Sequence, residues 1–92
     1  MKKELSFITV IGKDKKGIIA KISNLLYKSN INIEDVGQKV REGYFIMTML
    51  VDMKDSAHSL EKLRSELEKI GDEMGLKIQI QHENIFKMMH RV

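Results

Sequence analysis

Apolar and polar residues alternate along the start of this chain. Leu5, Phe7, Thr9 and Ile11 fall on one side of residues 4–11, and Ser6, Ile8 and Val10 fall on the other. A period of two predicts a strand, and apolar residues on both sides predict cover on both faces. A polar loop bounded by Gly12 and Gly17 follows. Ile18, Ile19, Ile22, Leu25 and Leu26 then recur at helical spacing, opposite Lys21, Asn24 and Lys28, up to a stop near Ser29-Asn30. Residues 31–40 predict a second strand and Tyr44 to Met53 a third, joined as a hairpin through Arg41-Glu42-Gly43. Leu60, Leu63, Leu67, Ile70 and Met74 mark a second amphipathic helix, with Asp55 or Ser56 as its expected cap and Gly75 as its end. Residues 76–81 alternate again as a fourth strand.

The order β-α-β-β-α-β predicts an α+β, ferredoxin-like sandwich: four antiparallel strands with both helices on one face. The whole chain of 92 residues is expected to be one domain, with a core over 4–82 and a C-terminal tail over 83–92. Two helices cover only one face, yet the first and third strands are apolar on both. In the third strand Tyr44, Ile46 and Leu50 oppose Phe45, Met47, Met49, Val51 and Met53. Two covers suggest themselves. The tail, with Ile85, Phe86, Met88 and Met89, folds back over the open face, or that face or a sheet edge meets a second subunit. A homodimer or higher homo-oligomer is the expected state.

Composition narrows the chemistry. Zero cysteine excludes disulfides, thiolate metal sites, thiol nucleophiles and the paired-cysteine metal chaperones of this fold. Proline is absent, hydrophobic residues make up 42% and charged residues 32%, as in an ordinary globular domain rather than a disordered one. No apolar run approaches the length of a bilayer span, and Met1-Lys2-Lys3-Glu4 does not open a signal peptide, so a cytoplasmic protein with no membrane partner is expected. The net charge of +3 is too small to select nucleic acid. It is unevenly placed: residues 1–30 hold seven lysines against two carboxylates, while the rest of the chain is slightly acidic.

A catalytic constellation is not visible. His58, His82 and His90 read as loop or tail residues, and His82 with Glu83 and His90 does not complete a metal shell. Lys62 with Glu66, and Arg64 with Glu68, read as helix-surface pairs. Neither an enzyme activity, a cofactor nor a metal is expected. The loop after the first strand is richer. A helix N-terminus offers unpaired N–H groups and partial positive charge, which suit a carboxylate. Gly17 leaves room for close approach, Lys13, Lys15 and Lys16 add cationic character, and Asp14 suits an ammonium. Together these suit an α-amino acid. The same residues also read as a solvated turn whose glycine serves helix–strand geometry.

The run Ile8-Thr9-Val10-Ile11-Gly12-Lys13-Asp14-Lys15-Lys16-Gly17-Ile18-Ile19, followed by Asn30-Ile31-Asn32-Ile33, resembles the signature of ACT domains. These are βαββαβ modules that bind amino acids or related metabolites and regulate enzymes or transcription. The resemblance spans residues 5 to about 82. Gly43-Tyr44-Phe45-Ile46-Met47 and the ending from Gln81 to Arg91 resemble the stand-alone bacterial and archaeal members, whose function is unassigned. A related pattern occurs in the tandem-ACT regulator of the glycine cleavage system. The resemblance implies a ligand at a subunit interface, touching Asp14, Gly17, the amides of Ile18 and Ile19, and Asn32. It also implies a regulated enzyme or transcription factor as partner. The chain departs from the family pattern at Gly12, where some members place histidine, and at Lys16, where proline is common.

Two other functions compete on this fold. Many ACT domains act only as dimerisation modules. RNA-recognition domains share the element order, and Arg41-Glu42-Gly43-Tyr44-Phe45-Ile46 is similar to part of their third-strand motif. However, Met47, Thr48 and Met49 replace its further small and aromatic residues.

Overall fold

The computed structural model describes residues 2–13 and 16–83. The elements run β1 (Leu5–Lys13), α1 (Ile18–Lys28), β2 (Asn32–Arg41), β3 (Tyr44–Asp52), α2 (Leu60–Met74) and β4 (Lys77–His82). They form one antiparallel sheet in the order β2-β3-β1-β4, with α1 and α2 on one face. This is the ferredoxin-like arrangement.

The alternation in each strand decides which residues go under the helices. Ser6, Ile8 and Val10 of β1 stand beside Phe45, Met47, Met49 and Val51 of β3 and beside Ile78 and Ile80 of β4. All are buried, and Ile18, Ile22 and Leu26 of α1 close over them with Leu63, Leu67 and Ile70 of α2. The two-residue hairpin between β2 and β3 has both centres in the left-handed region, Glu42 at φ 52° and Gly43 at φ 82°. Such a turn matches the right-handed twist of the strands it joins. At the other end of the sheet, the Ala57 N–H donates to the Ser29 carbonyl at 2.8 Å, and Asn30 Nδ2 donates to the Asp55 carbonyl at 2.9 Å. Those two bonds tie the β3–α2 connection to the end of α1.

The structure corrects three expectations. The cap of α2 is Ser59, whose side chain accepts from the Lys62 N–H, and neither Asp55 nor Ser56. Ser56 instead exchanges hydrogen bonds with the His58 backbone inside the turn. Ile19 is 44% exposed, although it falls within the apolar stripe of α1. At 3.6 residues per turn it rotates about 100° from Ile18, past the edge of the buried sector. Arg64 pairs with Glu61, not Glu68. The expected Lys62–Glu66 pair forms, at 3.3 Å.

On the open face Ile11 and Tyr44 are exposed, and Leu5, Phe7, Ile46 and Leu50 are half-buried. The expectation that the tail crosses this face falls on residues 84–92, which lie outside the described residues.

Two substitutions test this packing. Leu63→Ala is expected to cost about 2–5 kcal/mol in urea denaturation, because Leu63 is fully buried between α2 and the sheet. Ser59→Ala is expected to cost about 1 kcal/mol, and Asp55→Ala less, because only Ser59 caps the helix.

Candidate functional site

β1 ends at Lys13 and α1 begins at Ile18, so the loop between them lies at the hairpin end of the sheet, where Tyr44 pairs with Lys13 on one side and Arg41 on the other. Gly17 starts the helix at φ 84°, a left-handed conformation that strains any residue with a Cβ. Its carbonyl accepts the first helical bond, from the Lys21 N–H at 2.9 Å. No side chain caps α1 among the described residues, and its first turn holds no carboxylate. α2 begins differently, with Ser59 as its cap and Glu61 in its first turn.

Among the described residues the space around Gly17 is open, for a Cβ placed there would meet none of them within 4 Å. Ile18 is buried and anchors the turn, while Ile19 faces solvent beside it. The two differ in their side chains, yet their backbone N–H groups belong to the same uncapped turn. Asp14 and Lys15 lie outside the described residues. Lys13, Lys39, Arg41 and Lys77 are exposed and share this end of the open face through the pairings Lys39–Ile46–Ile11–Lys77 and Arg41–Tyr44–Lys13. An anion approaching the loop therefore meets a concentrated positive field.

The position of Gly12 has a packing cause. A Cβ there would lie 2.4 Å from Leu76 Cδ2, so the first residue of the β4 approach occupies the space that a side chain would need. A side chain at this position would have to move the Leu76 Cδ2 methyl, the end of a flexible side chain, whereas the Leu76 and Gly75 backbone leaves ordinary contact distance.

Asn32 stands at the other end. It opens β2 opposite Asp52, which pairs with Leu5 at the start of β1. Across a nine-residue strand rising about 3.3 Å per residue, that end lies about 26 Å from Lys13. One chain therefore does not bring Asn32 and Gly17 together. Around Asn32 the charge is negative. Its Nδ2 donates to Glu34, which also pairs with Lys3, and both partners hold the Glu34 carboxyl below the usual range. The Glu4 and Lys54 N–H groups do the same for Asp52. A cavity of about 230 Å³ opens here between Tyr27, Asn30, Asn32, Asp52 and Asp55.

The remaining candidates are placed apart from this loop. His82 Nε2 lies 3.1 Å from Glu4 Oε2, and the expected approach of His90 falls outside the described residues. Among the described residues, no three His, Cys, Asp or Glu side chains gather as a metal site. No described helix is long and apolar enough to cross a membrane. Tyr44 lies on the open face and Phe45 in the core, and Phe7 is three cross-strand pairs away from Tyr44, so the two open-face aromatics do not stand side by side.

The residues that the sequence pattern did not single out are those of the β2 edge. Val36 and Val40 are 43% and 66% exposed on the helix side of the sheet, beyond the reach of α1. The Lys21–Glu73 pair places α2 on one flank of α1, so Ile19 turns to the opposite flank, toward β2. Alternation within residues 31–40 holds the signal for Val36 and Val40, but it does not say that no helix covers them.

Comparison with known proteins agrees with this architecture. The ACT domain family model matches residues 4–81. A UPF0237 protein of Methanopyrus kandleri is 48% identical over 85 residues, covering 92% of this chain and 94% of its own length. A UPF0237 protein of Clostridium acetobutylicum is 47% identical over 87 residues, 95% of this chain and 98% of its own. An ACT domain protein from Streptococcus pneumoniae superposes with a TM-score of 0.80 at 38% identity, over 92% of this chain and 96% of that one. The regulatory subunit of aspartate kinase from Thermus thermophilus shares the fold, with a TM-score of 0.65 at 22% identity. In sequence and in fold, this chain belongs to the ACT domain family.

Proposed function

We propose that this protein is a non-enzymatic regulatory module that binds an amino acid or similar small metabolite between two copies of itself. The observation that carries the reading is the separation of the site. The uncapped, open N-terminus of α1 lies at one end of the sheet and Asn32 at the other, so only a second chain brings them together.

The β2 edge offers the means. The Val36 N–H donates to its neighbour Asp35's carboxylate, so the polar groups of Val36, and by alternation those of Gln38 and Val40, point away from β3. A two-fold axis at Gln38 would pair two β2 strands antiparallel. Val36 would then oppose the second copy's Val40 beside Ile19, burying exposed apolar surface. On the open face Asp35 would oppose Arg41 of the second copy, a pair of opposite charge. The antiparallel arrangement also carries the second copy's Asn32 toward the Gly17 loop. A ligand carboxylate would then sit on the amides of Gly17 to Ile19, with its ammonium toward the acidic end that holds Asn32. This charge layout favours a zwitterion over a plain carboxylate.

A structural dimerisation module is the second reading, favoured by Gly12, which brings no side chain to the end of β1 and has Leu76 Cδ2 in the place of one.

Three outcomes are expected. Light scattering at micromolar concentration should give at least twice the 10.7 kDa chain mass. In a thermal-shift screen, the right amino acid at 100 times its dissociation constant should add about 2.7 kcal/mol, a shift of about 10 °C. Gly17→Val should abolish that shift, with some loss of basal stability from its left-handed backbone, and Asn32→Ala should weaken binding by about 0.5–1.5 kcal/mol. Mixing the two variants is the decisive experiment. A mixed dimer holds one site with both Gly17 and Asn32 intact, so mixing should bring back binding at the parent's affinity, whereas a site within one chain would show only the lost and the weakened binding of the two variants. If no amino acid moves the transition, the dimerisation reading stands.

A further inference from the structure

Asn32 is the residue of the proposed ligand site that lies at the acidic end of the sheet, and its amide does not turn at will. Its Nδ2 donates to Glu34, two residues on, and Glu34 also accepts from Lys3 Nζ, so one carboxylate is held between two donors. The backbone arranges this. The pairing of β2 with β3 shifts register between Ile33 and Asp35, which makes Glu34 the extra residue of a β-bulge, with no partner opposite it in β3. A bulge re-aims the side chain it carries, and the Glu34 side chain is 17% exposed although β2 is an edge strand. Asp52, which stands opposite Asn32, does not compete for the amide, because its carboxylate accepts from the Glu4 and Lys54 N–H groups.

An ionised carboxylate accepts hydrogen bonds and donates none. Glu34 is held in that state, since the Lys3 and Asn32 donors keep its carboxyl below the usual range. The end of the Asn32 amide that faces Glu34 is therefore its NH2, and the end turned away is Oδ1. Asn32 is exposed, and among the described residues its Oδ1 accepts from no donor. An amide fixed this way round offers a ligand an acceptor. Turned over, it would offer a donor and suit a carboxylate.

We infer that Glu34, held by Lys3, is a positioning residue of the ligand site: it turns the Asn32 carbonyl oxygen outward and so requires the ligand to bring an ammonium to that end. This rests on the amino-acid reading given above and narrows it. An acid without an amino group covers Oδ1 and gives it no donor, and a polar atom covered without a partner costs binding.

Glu34→Gln tests the inference. Glutamine keeps the length of the side chain but offers Asn32 either end of an amide, so the orientation is no longer imposed. Dissociation constants are measured by calorimetry for the twenty amino acids, each beside the same acid without its α-amino group, as acetate for glycine and propionate for alanine. The parent should prefer the amino acid at least about tenfold, the scale of one hydrogen bond to a charged group, and Glu34→Gln should narrow that preference below about threefold. Lys3→Met removes the second donor to Glu34 without touching Asn32 and should narrow it in part, while Lys3→Arg should keep it. A role confined to holding the strand would lower stability in these variants and leave the ratio alone.

A second readout needs no ligand. In the parent, the Asn32 side-chain amide protons should shift in NMR spectra as acid protonates Glu34, below the usual carboxyl range. In Glu34→Gln that response should vanish, and one that survives there belongs to Asp52. A parent-like ratio in Glu34→Gln, or an Asn32 amide that does not follow Glu34, overturns the inference. The two proposals fail differently. If amino acids bind the parent and Glu34→Gln keeps the ratio, the positioning role is wrong and the amino-acid site stands. If no amino acid binds the parent, the site reading falls and the selectivity with it, while the Asn32 titration still decides whether Glu34 orients the amide.

Discussion

The structure depends on one limit of area: two helices lie across a four-stranded sheet and cover only part of one face. Where α1 and α2 reach, the alternating residues are sealed, with Ile8, Val10, Met47 and Met49 beneath Ile22, Leu26, Leu63 and Leu67. Each such side chain contributes about 1.5–3 kcal/mol by leaving water, which is most of what holds a chain of this size folded. Where the helices do not reach, apolar residues stay in solvent. Val36 and Val40 lie beyond α1, Ile19 lies on its outer flank, and Ile11 and Tyr44 lie on the open face. A larger domain would add an element to cover them. Here they remain exposed, and they are the residues on which the proposed association rests.

The same geometry polarises the molecule. β1 runs from an acidic end toward a basic one, because Asp52, Glu34 and Asp35 gather near Leu5 while Lys13, Lys39, Arg41 and Lys77 gather near the first loop. Within one chain these ends stay about 26 Å apart. In the proposed dimer, an antiparallel neighbour would bring unlike ends together, which would serve both cohesion and recognition of a zwitterion. Structural association and ligand binding would not be rival uses of that dimer's surface, since the contact joining two copies would also complete the site.

Much of the fold was legible in the residues. Every strand and both helices followed from periods of 2 and 3.6, and α1, α2 and β3 began where the pattern placed them. Periodicity is a local property, and each segment states its own. The hairpin at Glu42-Gly43 and the end of α2 at Gly75 were legible for a related reason, since left-handed backbone favours glycine. The cap of α2 was misplaced because Asp55, Ser56 and Ser59 all suit a cap by type. Only the path of the chain through the Ser56 turn leaves Ser59 with its oxygen over the Lys62 N–H.

The sequence by itself determined the element order, the alternation of the first, third and fourth strands and the glycine loop with its cationic surroundings. Only the tertiary structure decided which of these lie together. Nothing in the spacing of Gly17 and Asn32 reveals that they occupy opposite ends, because that follows from the antiparallel register of β1, β3 and β2. Nothing in the Arg64-Glu68 spacing reveals that Arg64 turns instead to Glu61 and to the Ile80 carbonyl, sixteen residues away. A helix surface offers an arginine several carboxylates at similar energy. Sheet closure placed the Ile80 carbonyl within reach of the guanidinium.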